Sequence, residues 1–177
     1  MLATYAARDE TESADLERVR GLPDADAAWA RDTPLHLTAS ALIVHPPTRR
    51  VLLRWHARQQ AWLQVGGHAD PGETEPLAIA LREAREETGL PDLAPWPDGQ
   101  LVHLVIVPVP AAAHEPAHEH ADLRFGLATH APEAIRPETE SAALQWLTLD
   151  EARALTSEPN LHETLARVER LLDRSAG

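Results

Sequence analysis

Short apolar runs separated by turn-forming residues dominate the middle of the chain. Residues 35–44, LHLTASALIV, read as a strand, His45-Pro46-Pro47-Thr48 as a turn and residues 51–55, VLLRW, as a second strand, so a β-hairpin is expected. Residues 61–65, AWLQV, form a further strand that runs into Gly66 and Gly67. After that the period changes. At about 100° per residue, Leu77, Ala80, Leu81, Ala84 and Thr88 fall on one stripe and Glu83, Glu86 and Glu87 on another flank, which predicts an amphipathic helix. Thr74 is its expected N-cap, Glu75 and Pro76 suit the first turn, and Gly89 is the stop. Residues 91–99, with Pro91, Pro95 and Pro97, read as a loop, and residues 101–109, LVHLVIVPV, the most apolar stretch, as a central strand despite Pro108. A Pro-, Ala- and His-rich connection over 110–118 leads to a strand over 121–129 and a short one over 143–147. Helices follow over 150–155 and 161–172, the second with Leu161, Leu165, Val168 and Leu172 on one core-facing stripe. At the other end, residues 9–20, DETESADLERVR, predict a helix, and residues 25–30 a short helical turn before Pro34.

Strands, one amphipathic helix, more strands and terminal helices make an α/β chain, and 177 residues suit one domain with a sizeable core. Residues 1–34 are expected to form an N-terminal helical extension, a packing or dimer element in preference to a lid or substrate-selecting surface, and residues 35–177 the main domain. A homodimer is admissible. The net charge of −12 argues against a nucleic-acid surface, since phosphate backbones are bound by Lys and Arg. The absence of cysteine excludes disulfides and thiolate chemistry. Residues 1–21 contain no apolar run of signal-peptide length, and no later segment approaches the ~20 apolar residues of a membrane span. The expectation is a soluble cytoplasmic protein with no membrane partner.

The chemistry gathers in residues 66–90, GGHADPGETEPLAIALREAREETGL. Glu83 stands at i,i+3 from Glu86 and i,i+4 from Glu87, which sets like charges side by side and calls for a cation among them. A hard divalent ion such as Mg²⁺, shared between carboxylates, waters and phosphate oxygens, answers that need. Glycine at 66 and 67 lets a backbone carbonyl approach such an ion closely. Taken together, the stretch resembles the Nudix box, G-x5-E-x7-R-E-U-x-E-E-x-G-U with U a bulky aliphatic residue. Arg82, Glu83, Ala84, Glu86, Glu87, Gly89 and Leu90 match its second half, and Gly67 and Glu73 its first.

The resemblance implies a Nudix-like α/β/α sandwich with a mixed β-sheet. It implies Mg²⁺ or Mn²⁺ held by Glu83, Glu86, Glu87 and the Gly67 carbonyl, with Glu86 or Glu83 accepting a proton from water and Arg82 orienting carboxylates. The implied reaction is hydrolysis of a pyrophosphate bond in a nucleoside diphosphate linked to another moiety, a small-molecule substrate. Two departures stand out. Eight residues rather than seven separate Glu73 from Arg82, and the extra one is expected in the loop or first turn, because an insertion inside the helix would rotate Glu73 by about 100°. Ala84 at the U position leaves less side chain to anchor the helix. Two other classes fit the resemblance less well. One is a nucleotide-binding module without catalysis; the other is an isoprenoid diphosphate isomerase, a branch that uses a cysteine this chain lacks.

His114-Glu115-Pro116-Ala117-His118 satisfies the zinc-protease pattern H-E-x-x-H. That pattern needs a helix, and Pro116 in its centre costs a helix ~3 kcal/mol, so the match is read as fortuitous. Adventitious Zn²⁺ or Ni²⁺ binding by His114, His118 and His120 is the residual expectation. A further carboxylate from outside the box could come from Glu115, Glu119, Asp122, Glu138 or Glu140. Arg54, Trp55, His56 and Arg124 could face a substrate pocket or be ordinary strand residues.

Overall fold

The structure is a computed structural model that describes residues 2, 4–22, 25–112 and 116–175. Two strands distant in sequence form its centre. β1 (Leu35–His45) and β7 (His118–Ala128) run parallel and in register from Leu35 beside Glu119 to Val44 beside Ala128. β1 is buried along nearly its whole length because both faces are covered. Its side chains divide by parity: Ala39, Ala41 and Ile43 enter one core, Leu42 and Val44 the other.

The expected hairpin forms, with a 3-10 turn over Pro46–Thr48 returning the chain as β2 (Arg50–His56). Residues 61–65 do not make one strand. β3 (Ala61–Leu63) pairs with β2, whereas β4 (Val65–Gly67) pairs with β1, so the chain changes partner at Gln64 and brings both glycines beside Ala39 and Ser40. β5 (Ala94–Pro95) is a two-residue strand within the proline-rich stretch read as loop, and β8 (Leu144–Thr148) lies on β2.

The most apolar stretch is β6 (Leu101–Val109), and it is not central: among the described residues its strand partner is β7 alone. Its other edge is covered by α1 (Glu10–Arg20), whose Glu12 Oε1 accepts from the Leu104 N–H at 3.1 Å and Asp15 Oδ2 from the Ile106 N–H at 2.8 Å. Side-chain carboxylates take the place of a neighbouring strand and satisfy the edge amides. Leu16 and Val19 of α1 join the same core as Ala39 and Ala41. α2 (Ala25–Ala28) is the short turn ahead of β1.

α3 (Pro76–Thr88) covers one face of the sheet. Thr74 is not its N-cap. Glu75 holds that position without a side-chain capping bond, and its extended φ of −95° and ψ of 104° are what a residue before proline prefers. Pro76 therefore starts the helix, and Gly89 ends it at a left-handed φ of 66°. The buried face is Ile79, Ala80, Ala84 and Thr88, rotated from the expected stripe so that Leu77 and Leu81 are half-buried. This rotation draws Glu83 and Glu87 inward. α4 (Leu149–Leu155) and α5 (Pro159–Ser175) cover the opposite face, with Leu161, Leu165, Val168 and Leu172 buried as the stripe requires. The result is a mixed sheet between helical layers. No helix among the described residues is long and apolar enough to cross a membrane.

Candidate active site

The site grows from the two glycines that close β4. Gly66 has φ of 142° and lies opposite Ser40, where a Cβ would come within 2.4 Å of the Ser40 Cα. Only glycine lets β4 lie so close to β1. In this position the Gly66 N–H donates to Glu87 Oε2 at 3.0 Å. At Gly67 the vacated space is used by a side chain, since a Cβ there would meet the Glu83 Oε2 at 2.8 Å. β4 thus meets two of the helix carboxylates, Glu87 through an amide and Glu83 through a cradle.

Arg82 organises the remainder. Its Nε donates to Glu73 Oε1 at 3.0 Å, Nη1 to Glu83 Oε1 and Glu86 Oε2 at 2.9 Å each, and Nη2 to the His68 carbonyl at 2.9 Å and Glu73 Oε2 at 2.8 Å. One planar guanidinium therefore joins three carboxylates and the loop that follows the glycines, a task its fork of donors suits. Residues 74 and 75 precede the helix, so the additional residue leaves the helical glutamates in phase and Glu73 still reaches Arg82. The Asp70 N–H also donates to Glu73 Oε2, at 2.8 Å.

Burial sets the charge states. It lifts the Glu87 carboxyl to about 7, against the opposing pull of Arg54 and the Gly66 N–H. Burial also raises Glu83, while Arg82 opposes and the Glu86 charge adds to the rise. Hydrogen bonds from Arg82 and from the Asp70 amide hold Glu73 below the ordinary carboxylate range, and Arg82 itself is driven up, chiefly by Glu73. Glu86 is the open member, with its side chain 53% exposed against 16% for Glu83. Carboxylates gathered against a glycine backbone make an oxygen-donor set of the kind that suits Mg²⁺ or Mn²⁺ rather than a soft metal.

The NUDIX domain family model matches residues 34–168 of this chain. The chain belongs to the Nudix hydrolase family. Among curated proteins, none matches it by sequence. Solved structures share the fold. A C. elegans Ap4A hydrolase in a binary complex is 19% identical, with 78% of this chain and 98% of that one covered and a TM-score of 0.58. The E. coli dihydroneopterin triphosphate pyrophosphohydrolase is 21% identical, with 77% and 95% covered and a TM-score of 0.58. A NUDIX family hydrolase from Clostridium perfringens is 22% identical, with 79% and 97% covered and a TM-score of 0.53.

Around the Nudix box, Arg54 lies between Glu87 and Glu138, at 3.3 Å from each, and so brings Glu138 beside the box glutamates. The other outside carboxylates lie elsewhere: Glu119 pairs with Arg18 of α1, Asp122 is buried among Thr38, Ser40 and Arg124, and Glu140 is exposed. Glu115 and His114 fall outside the described residues, and His118 opens β7, in a strand where the protease pattern needs a helix. A cavity of about 200 Å³ opens beside Gly66 and Gly67, with His56, Arg58, Asp122 and Arg124 among its walls. Of the four suggested pocket residues, His56 and Arg124 line it, Arg54 serves the box, and Trp55 packs edge-on against Trp62 at 5.7 Å. The Arg54 bridge and the His68 carbonyl had no signal in the sequence, because both depend on strand pairing.

Proposed function

We propose that this Nudix enzyme hydrolyses a pyrophosphate bond in a nucleoside diphosphate linked to another moiety. The observation that carries the reading is the Arg82 network, which collects Glu73, Glu83 and Glu86 at the mouth of the glycine turn while Gly66 and Arg54 hold Glu87. Glu83, Glu86, Glu87 and the Gly67 carbonyl would hold Mg²⁺ or Mn²⁺. When bound, such an ion would supply charge neutralisation at phosphate oxygens and an acidified water. Glu86 or Glu83 accepts the proton of the attacking water, and the solvent exposure of Glu86 favours it for that exchange. Arg82 fixes the carboxylates in place, and Glu138 sets Arg54 against Glu87. The adjoining cavity mixes charges, with Arg58 on its wall and Arg124 paired to Asp122 at 2.8 Å. The structural neighbours, named for Ap4A and for dihydroneopterin triphosphate, support a substrate with linked phosphates.

A product screen tests this. Purified protein with Mg²⁺ or Mn²⁺ is offered nucleoside triphosphates, dinucleoside polyphosphates, nucleotide sugars and dinucleotide cofactors. The expected result is metal-dependent cleavage within one class, yielding a nucleoside monophosphate from the linked substrates. Absence of turnover by folded protein, with nucleotide still bound, would overturn it in favour of a binding module.

A further inference from the structure

Beside the box, a second group of side chains converges whose donors are nitrogen. His36 on β1 and His120 on β7 are cross-strand partners, and His68 follows Gly67 at the end of β4. Their ligand atoms lie within 4.8 Å of one another. His36 Nε2 stands 3.1 Å from His68 Nε2, which stands 3.2 Å from His120 Nε2, and His118 Nε2 is 3.0 Å from that of His120.

Counting protons decides what this contact chain requires. His36 Nδ1 lies 3.0 Å from the Thr33 carbonyl and His118 Nδ1 2.9 Å from the Pro116 carbonyl. A carbonyl only accepts, so both Nδ1 atoms carry hydrogen and the neutral rings present bare Nε2 lone pairs. Three Nε2–Nε2 contacts then share at most two hydrogens, those of His68 and His120, and each hydrogen serves one contact. At least one contact is left without a shared hydrogen, as lone pair against lone pair or N–H against N–H, unless a ring changes its charge. A cation in the middle removes the conflict for every ring that ligates it. The His36–His68 and His68–His120 spacings are close to what such a cation requires, because two nitrogens at tetrahedral zinc bond lengths stand about 3.3–3.4 Å apart. The Nδ1–H to carbonyl bond of His36 is the arrangement that orients a ligating imidazole.

We propose that His36, His68 and His120 bind a first-row transition-metal ion of the Zn²⁺ class, separate from the carboxylate site of the box. Imidazole donors select such ions over Mg²⁺, three protein ligands leave a fourth position, and His118 stands at its edge. The ion ties β1 and β7 to the loop whose His68 carbonyl accepts from Arg82. This inference stands on the histidines alone and does not rest on the hydrolase reading.

The test uses tag-free, full-length protein stripped of metal and held in excess Mg²⁺ to occupy oxygen-donor sites, then titrated with Co²⁺ and back-titrated with Zn²⁺. The expected result is one retained equivalent of Co²⁺ with the intense visible bands of a tetrahedral nitrogen site, displaced by one equivalent of Zn²⁺. His36→Gln and His120→Gln should each weaken it by at least about 100-fold, and a Glu83→Gln/Glu86→Gln double variant should keep it. His120→Cys with an unchanged circular dichroism spectrum should add a sulfur-to-cobalt charge-transfer band. Absence of the tetrahedral spectrum in wild-type protein would overturn the proposal, as would an equivalent that survives loss of both His36 and His120 or disappears with the glutamates.

Discussion

Gly66 and Gly67 are adjacent and chemically identical, yet substitution of each meets a different obstacle. At Gly66 an added methyl would strike the Ser40 backbone at 2.4 Å from a φ of 142°. Gly66→Ala should therefore cost roughly 2–6 kcal/mol through overpacking and backbone strain together, read as a loss in urea unfolding free energy. At Gly67 the methyl meets the far end of the Glu83 side chain at 2.8 Å. Gly67→Ala should leave the melting temperature nearly unchanged while raising the Mg²⁺ or Mn²⁺ concentration needed for half-maximal turnover. Equal damage to stability from both variants would sink the distinction. Glu86, the exposed member, should tolerate Glu86→Gln with full folding while turnover falls ~10²–10⁴-fold, the range of a lost general base; wild-type turnover in that variant would remove Glu86 from the mechanism. These glutamates were legible because helical periodicity places them without any knowledge of the sheet. Glu73 needed the motif, and Glu138 could not be singled out among five carboxylates, because its approach to Glu87 runs through Arg54 and the register of β2 against its neighbours.

Among elements, β6 shows where hydrophobic pattern misleads. Its Leu101–Leu104 segment is buried, as in a central strand, yet the cover on its free edge is a helix that contributes carboxylates rather than a strand that contributes carbonyls. A run of apolar residues reports burial, and both arrangements bury. The arrangement has an energetic signature. Glu12 is 2% exposed, accepts from the Leu104 and Arg8 amides and from Tyr5, and pairs at 2.7 Å with Arg167, which is fully buried. Glu12→Ala leaves that guanidinium without its buried partner and frees an edge amide, so a loss of about 3–5 kcal/mol is expected. The Glu12→Leu/Arg167→Met double variant should lose much less than the sum of its single changes, because it removes both charges together. Additive losses in the double-mutant cycle would show that the pair is not what joins α1, β6 and α5.

At the scale of the whole molecule, the seam between β6 and α5 carries two acid-sensitive groups, His103 and Glu12. His103 is buried on β6, bonded through Nδ1 to Thr164 Oγ1 at 2.9 Å, and burial together with the charges of Arg124 and Arg167 pushes it down to about 4. The unfolded chain takes up that proton near pH 6.5, so the folded state binds fewer protons between the two values. The stability tied to neutral His103 is complete above about pH 6.5 and is lost as pH falls to about 4, a change on the order of 3 kcal/mol. Glu12 follows in a lower window. Burial alone would raise it, but bonds from Arg167, Tyr5 and the Leu104 and Arg8 amides hold it at about 2. Its contribution is complete above the unfolded value near pH 4.5 and is lost toward pH 2. The two windows barely overlap, so they can be separated in metal-free protein by urea unfolding at a series of pH values. His103→Gln should flatten the stability slope by up to one proton between about pH 6.5 and 4 and leave the slope below that intact. An unchanged slope in the upper window would mean that His103 is already protonated in the fold, beside two arginines, and that its environment is more polar than its burial implies.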